Sequence, residues 1–385
     1  MGNFENHCLK KIIQIVENLD KGAVENWLVR MFLKSREIEP NLDWTFYCIL
    51  GKPGRLDQQV LEAGGKIVHA PVTISNKWKF LKHLRQTLKA GQFDIIHSHH
   101  DYLSGFYLLA SAGIRFQKRI LHIHNTDKAI PVGSPFLQQK LIGPFRKLAY
   151  WFSDLIVGIS VDTLEEFIDF KPPQGVKTTV LYYGILLDDF AQPTNKSAKL
   201  QSLGLDENGI FLLFVGRMNP IKNPVFVVDI LYELRKTMPQ AKALFVGKGD
   251  EEINTINRAK QLGVENQVHM LGWRDDIPQL MQTADIFVFP RLENPKEGLG
   301  LVVVEAQAAG LPVVLSNGIA EDAIIIPEMT KFVPLNSSPM NWVKAITNLL
   351  SNTNRPDVKA CLKRVETSHF ESRIATENLL KLYEK

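Results

Sequence analysis

Three glutamates and a short row of glycine-flanked amides share the stretch from Arg291 to Ser316, R-L-E-N-P-K-E-G-L-G-L-V-V-V-E-A-Q-A-A-G-L-P-V-V-L-S. If a helix begins near Leu301, the N–H groups of Leu299, Gly300 and Leu301 lie at its positive end and can hold a phosphate group. Gly298 and Gly300, lacking side chains, let an anion approach the main chain. Glu297 and Glu305 bracket that site, eight positions apart in the sequence and roughly 12 Å apart if the interval is helical. Carboxylates accept hydrogen bonds from hydroxyls, and a ribose diol offers two. One glutamate is thus suited to a sugar on one side of a diphosphate and the other to a ribose on the far side. Glu305 stands inside an otherwise apolar run, L-V-V-V-E-A, where a carboxylate needs a partner.

These residues need a strand before them and a helix through them. Ala284–Phe289 reads as a buried strand closed by Pro290, Leu301–Ala309 as a helix stopped at Gly310-Leu311-Pro312, and Val313–Leu315 as the next strand. That is a βαβ unit with its loop at the carboxyl end of a strand, where open α/β sheets bind ligands. A second cluster, F-V-G-R-M-N-P-I-K-N-P, places Arg217 and Lys222 just past the strand Ile210–Val215. Two cations there can offset a leaving diphosphate, Arg as a bidentate fork and Lys as a movable point charge.

The spacing E-G-L-G-L-V-V-V-E followed by A-Q-A-A-G-L-P-V-V resembles the signature of retaining glycosyltransferases of family 4, the group 1 glycosyltransferases. The resemblance implies the GT-B fold, two doubly wound Rossmann-like α/β domains facing a central cleft. The loop departs from the family's shorter S-x-x-E-G. Here it is R-L-E-N-P-K-E-G, so Glu293 competes with Glu297 for the sugar, and the spacing favours Glu297. The family pattern G-R-x-x-x-x-K matches Gly216, Arg217 and Lys222. Gly22 and Glu25 in K-G-A-V-E resemble its first loop, G-G-x-E, with Lys21 replacing the first glycine and Gly22 still able to take positive φ. By the same resemblance Gly247 and the loop with Trp273 and Arg274 belong to the donor site, the latter passing the nucleobase. H-I-H-N-T implies that His124 contacts the reacting sugar, with His99, Asp101 and Asn125 on the acceptor side.

The rest of the chain alternates short apolar strands with helical patterns, then begins again after a polar stretch at Gln192–Lys199. The expected division is an acceptor-side domain over residues 1–190, a nucleotide-sugar domain over 191–368, and a last helix, 369–385, that by the resemblance crosses back to the first. Hydrophobic content of 45% and charged content of 22% suit ordinary globular cores. Three scattered cysteines form no disulfide framework, and no signal peptide or transmembrane run is read, so the expected location is the cytoplasm. Residues 1–190 carry 23 Lys+Arg against 19 Asp+Glu. Five basic residues fall in Lys77–Lys89 with Trp78, Phe80 and Leu81, and Ser134–Phe152 repeats the theme. This bias is too weak for nucleic acid but suits a peripheral hold on an anionic membrane surface, beside the plainer reading of a solvated helix face.

Eight of ten histidines fall in residues 1–190. Imidazole is a common zinc ligand, but no carboxylate or cysteine pair completes a site, and no D-x-D metal loop is suitably placed. No metal or other cofactor is expected. The function read here is transfer of a hexose from a nucleotide-diphosphate sugar, UDP ahead of GDP, to a glycan, lipid-linked or small-molecule hydroxyl in polysaccharide or glycoconjugate biosynthesis. A nucleotide-sugar epimerase or hydrolase and a non-catalytic sugar-nucleotide binder are the alternatives.

Overall fold

The computed structural model describes residues 10–20, 22–126, 135–169, 174–352 and 356–384, without the side chains of 135–139. Lys21 and Ser134 lie outside them. The chain divides into two compact units, residues 1–184 with 372–385, and residues 185–371.

Unit 1 holds seven strands: β1 (Lys10–Val16), β2 (Leu42–Cys48), β3 (Lys66–His69), β4 (Ile95–Ser98), β5 (Lys118–Ile123), β6 (Leu155–Gly158) and β7 (Lys177–Val180). All pair in parallel, in the order β3-β2-β1-β4-β5-β6-β7. Ile12, Ile13 and Ile15 are fully buried on successive faces of β1. Helices on both faces of a parallel sheet make such unbroken apolar strands necessary. Gln14 interrupts the run, is equally buried, and sits in register with His97 of β4. The helix Ala23–Ile38 lays Trp27, Leu28, Met31 and Phe32 onto the core at helical spacing. The last helix, Ser372–Tyr383, completes the unit, with Thr376 Oγ1 on Met31 Sδ at 3.2 Å and Tyr383 reaching Gln14.

Unit 2 holds β8 (Ile210–Val215), β9 (Ala241–Val246), β10 (Val268–Gly272), β11 (Ile286–Phe289), β12 (Val313–Leu315) and β13 (Thr330–Phe332). They too are parallel, in the order β10-β9-β8-β11-β12-β13. The order reverses between β8 and β11. In open α/β sheets that switch point opens a crevice beyond the carboxyl ends, where ligands bind.

Two local expectations are corrected. Phe80 does not share an outer face with Trp78. It is fully buried, whereas Trp78 is 83% exposed, because the helix Lys77–Gly91 turns residue 80 with Leu84 and Leu88 onto the sheet. Gly22 does not use positive φ. It caps the helix Ala23–Ile38 at φ −71°, and what it needs is space, since a Cβ there would meet the Glu25 carboxylate at 1.9 Å.

Candidate functional site

The loops after β8 and β11, the two strands flanking the switch point, carry the charged cluster of unit 2. Asn223 Nδ2 donates to Pro290 O at 3.1 Å and Leu292 N to Ile221 O at 2.8 Å, knitting the two loops together. Lys222 Nζ and Arg291 Nε both donate to Glu297 Oε2, and Lys222 also lies 5.1 Å from the Phe289 ring centre. Glu297 Oε1 has no hydrogen bond among the described residues. Arg291 is nearly buried and donates further to Leu292 O and Pro295 O, so it is the strut of the loop it begins. Arg217 is exposed at the end of β8.

Burial alone would raise the Glu297 carboxyl, but Lys222 and Arg291 outweigh it and hold the group below its usual range. Burial pulls Lys222 down from its usual value; Glu297 offsets only part of this, and Arg291 and Arg217 add smaller pulls in the same direction as burial. The two shifts point opposite ways for one ion pair because burial dominates at Lys222, whereas at Glu297 two bonded cations outweigh it. Two cations bond this one carboxylate, so the cluster of three carries one more positive charge than negative.

The glycine loop runs from Glu297 to the helix Leu301–Ala308. Gly300 caps it at φ +84°, a left-handed conformation that favours glycine. The N–H groups of Leu299, Gly300, Leu301 and Val302 have no partner among the described residues, whereas Val303 N bonds Gly300 O. The helical estimate of the Glu297–Glu305 separation does not hold, since only the second half of that interval is helix; Glu297 is fixed by its own N–H on Gly318 O at 2.7 Å. Glu305 is half-buried on the helix. Gly298 sits between Glu297 and Leu299 in the same loop. Glu293 turns elsewhere, accepting from Leu335 N at 3.1 Å, so the carboxylate that meets the cations is that of Glu297.

Beyond β8 and β9 the backbones approach closely. A Cβ on Gly247 would meet Gly216 O at 2.0 Å, and Gly247 N donates to Gly272 O at 2.8 Å. Trp273 follows and is 74% exposed, so it is not a packing residue. The Arg274 side chain is committed to Asp276 by two bonds of 2.8 and 2.6 Å, leaving its backbone as the part open to a ligand.

In unit 1 the named residues meet beyond the ends of β4 and β5. Asp101 Oδ1 accepts from His124 N at 2.7 Å and Oδ2 from the exposed Asn125 Nδ2 at 2.9 Å. His124 and His99 are buried and bonded ring to ring at 3.0 Å, and His124 Nδ1 faces the Tyr183 hydroxyl. Both ring nitrogens of His124 are therefore occupied. Burial, with neighbouring imidazoles adding, holds His97, His99, His122 and His124 below their usual value, His99 down to about 3. Sequence reasoning missed Arg291, Gln14 and Tyr183. Only Gln14 left a trace, as a polar residue inside an apolar strand.

Two parallel doubly wound sheets with these loops define the GT-B class. The description "Glycosyl transferases group 1" matches residues 195–362 and "Glycosyltransferase Family 4" residues 45–189. The chain belongs to this glycosyltransferase family. It is 26% identical over 320 residues, 82% of this chain and 81% of the other, to EpsF of Bacillus subtilis (strain 168), itself only provisionally named a glycosyltransferase. It is 32% identical over 162 residues, 41% of each chain, to the UDP-Gal:alpha-D-GlcNAc-diphosphoundecaprenol alpha-1,3-galactosyltransferase of Escherichia coli. Among solved structures, HepE of Anabaena in complex with UDP superposes with a TM-score of 0.78 at 19% identity, over 97% of this chain and 99% of that one, and its UDP-glucose complex scores 0.75.

Proposed function

We propose that this glycosyltransferase moves a hexose from a nucleotide-diphosphate sugar, a UDP-sugar ahead of a GDP-sugar, to an acceptor hydroxyl with retention of configuration. The observation that carries it is the pair of cations sharing the single Glu297 carboxylate, next to four N–H groups at a helix start that have no partner among the described residues. A diphosphate supplies the missing charge. Glu297 Oε1 is then left for a sugar hydroxyl, and in this reading Glu305 meets the ribose. UDP and UDP-glucose complexes of HepE support the choice of base.

In the proposed reaction the bond from the anomeric carbon to the β-phosphate oxygen breaks, and the acceptor oxygen bonds to the same face. The acceptor's proton passes to the departing phosphate. Arg217, Lys222 and the loop amides stabilise the charge that grows there, and in this reading they replace a divalent cation. His124, with both nitrogens occupied, bounds the acceptor side without moving a proton. A panel of UDP- and GDP-sugars tests the reading, followed by NMR of the product's anomeric coupling with and without chelator. A retained product formed in chelator is expected. Inverted product overturns retention, and sugar isomerised or released with no acceptor dependence makes the chain an epimerase or hydrolase.

A second observation favours a lipid-linked acceptor met at a membrane surface. Lys77, Lys79, Lys82 and Lys89 are exposed on the helix that presents Trp78, and Trp151 is also largely exposed in unit 1. No helix among the described residues is long and apolar enough to cross a membrane. The diphosphoundecaprenol acceptor in the name of the Escherichia coli relative supports this reading.

A further inference from the structure

Seven buried side chains of unit 1 stand in one line of hydrogen bonds, and the amide of Gln14 gives that line a direction. Gln14 Nε2 donates to Tyr383 Oη at 2.9 Å, and its Oε1, an acceptor only, receives from His99 Nε2 at 2.9 Å. A neutral imidazole has one N–H. His99 Nδ1 is thus a lone pair, and His124 Nε2 must donate to it across 3.0 Å. His124 Nδ1 is then the acceptor for the Tyr183 hydroxyl. In the other arm, the Tyr383 hydroxyl hydrogen is buried and needs an acceptor, and His97 Nδ1 lies 2.9 Å away. His97 Nε2–H passes on to His122 Nδ1 at 3.2 Å. The line ends at His122 Nε2, buried and without a hydrogen-bond partner among the described residues, in a ring set edge-to-face against Trp27 at 5.3 Å and 88°. At the opposite end Tyr183 stacks on the same indole at 4.5 Å and 18°.

His97, His99 and His122 also bring one nitrogen each within 4.8 Å of the others, close enough for a shared ion. The directed line argues against one. Their three lone pairs are taken by hydrogens from Tyr383, His124 and His97, and an ion would have to break those bonds.

We infer that Gln14 and Tyr383 are positioning residues: together they set one tautomer, Nε2–H, on all four histidines and so fix the corner of Asp101, His124 and Asn125 as a rigid, non-basic wall. The functional half of this inference rests on reading unit 1 as the acceptor side; the tautomer half does not.

The test is long-range 1H–15N correlation on the full chain labelled at histidine. All four buried rings are expected to carry hydrogen on Nε2 and none on Nδ1. Tyr383→Phe, nearly isosteric, should leave His99 and His124 in that state and release His97 and His122 into mixed tautomers. Gln14→Leu should release His99 and His124 and raise the acceptor KM about tenfold, with nucleotide affinity unchanged. Nδ1–H on any of the four rings in the unaltered protein overturns the direction. Zinc at one equivalent shifting His97, His99 and His122 overturns the line in favour of a metal. Expected tautomers with an unaltered acceptor KM in Gln14→Leu overturn the positioning role. Because the tautomers are read without substrate, they stand or fall separately from the transferase reading.

Discussion

Lys222 and Arg291 donate to the same oxygen of Glu297, one from each of the loops flanking the switch point of unit 2. Sharing one oxygen keeps the other clear. In the proposed reaction, where Lys222 turns to an incoming phosphate, Arg291 is the partner that would still hold the carboxylate.

Replacing Arg291 by Met should therefore damage unit 2 before it touches chemistry. Breaking a buried ion pair from one side costs roughly 3–5 kcal/mol, and Leu292 O and Pro295 O lose their donor as well. Urea unfolding measures this. A loss below about 1 kcal/mol would mean that water replaces the guanidinium and the strut is dispensable.

Arg217 is exposed, so Arg217→Ala should fold normally and report on catalysis alone. Its kcat is expected to fall roughly 10²–10³-fold with little change in donor KM, because phosphate charge grows as the sugar leaves. Unaltered turnover would make Arg217 a spectator.

Acid should weaken unit 1 through its histidines. Their folded values lie below the unfolded value of about 6.5, so below that pH the unfolded chain binds more protons than the folded one. Stability is then fully present above about pH 6.5 and is lost as pH falls towards the folded values, by up to about 1.4 kcal/mol per pH unit for each ring. Thermal melts between neutral and mildly acidic pH check this, and a flat profile contradicts it.

Trp273 offers a direct signal of donor binding. Adding UDP should quench its fluorescence, and Trp273→Ala should weaken nucleotide binding by about 1 kcal/mol if the base stacks on the indole. Titration calorimetry with the same affinity in both proteins would remove Trp273 from the donor site.

Anionic vesicles test the surface reading. The chain should sediment with them at low salt, detach at high salt, and stay free when Lys77, Lys79 and Lys82 become Glu. A protein that remains in the supernatant at low salt has only a solvated helix face there.

What was legible in the sequence follows from how strongly each element is buried. Strands such as β8 and β9 are apolar because helices cover both their faces, and the ends of β8 were read to the residue. The edge strands β7 (K-T-T-V) and β13 (T-K-F) have one neighbour each, are short and partly polar, and gave no pattern to find. Glu297 and Lys222 were singled out because glycine and strand-end spacing marks such loops, and the structure bonds the two side chains to each other. Arg291 was passed over because a guanidinium beside a proline looks like any loop residue until its carboxylate is seen. Gln14 and Tyr383 are 369 positions apart, and no local period connects them.

The return of Ser372–Tyr383 to unit 1 has a consequence for synthesis. A ribosome releases all of unit 2 before the residues that finish unit 1 exist, so the usual rule that the first domain folds first cannot be fully met. Until the last turn emerges, Gln14 and His97 lack the Tyr383 hydroxyl, and Met31 lacks its neighbour on the final helix. The nascent first half must wait with a polar line open in its core. A chain stopped a dozen residues short would carry every loop of unit 2 and still leave its first half unfinished.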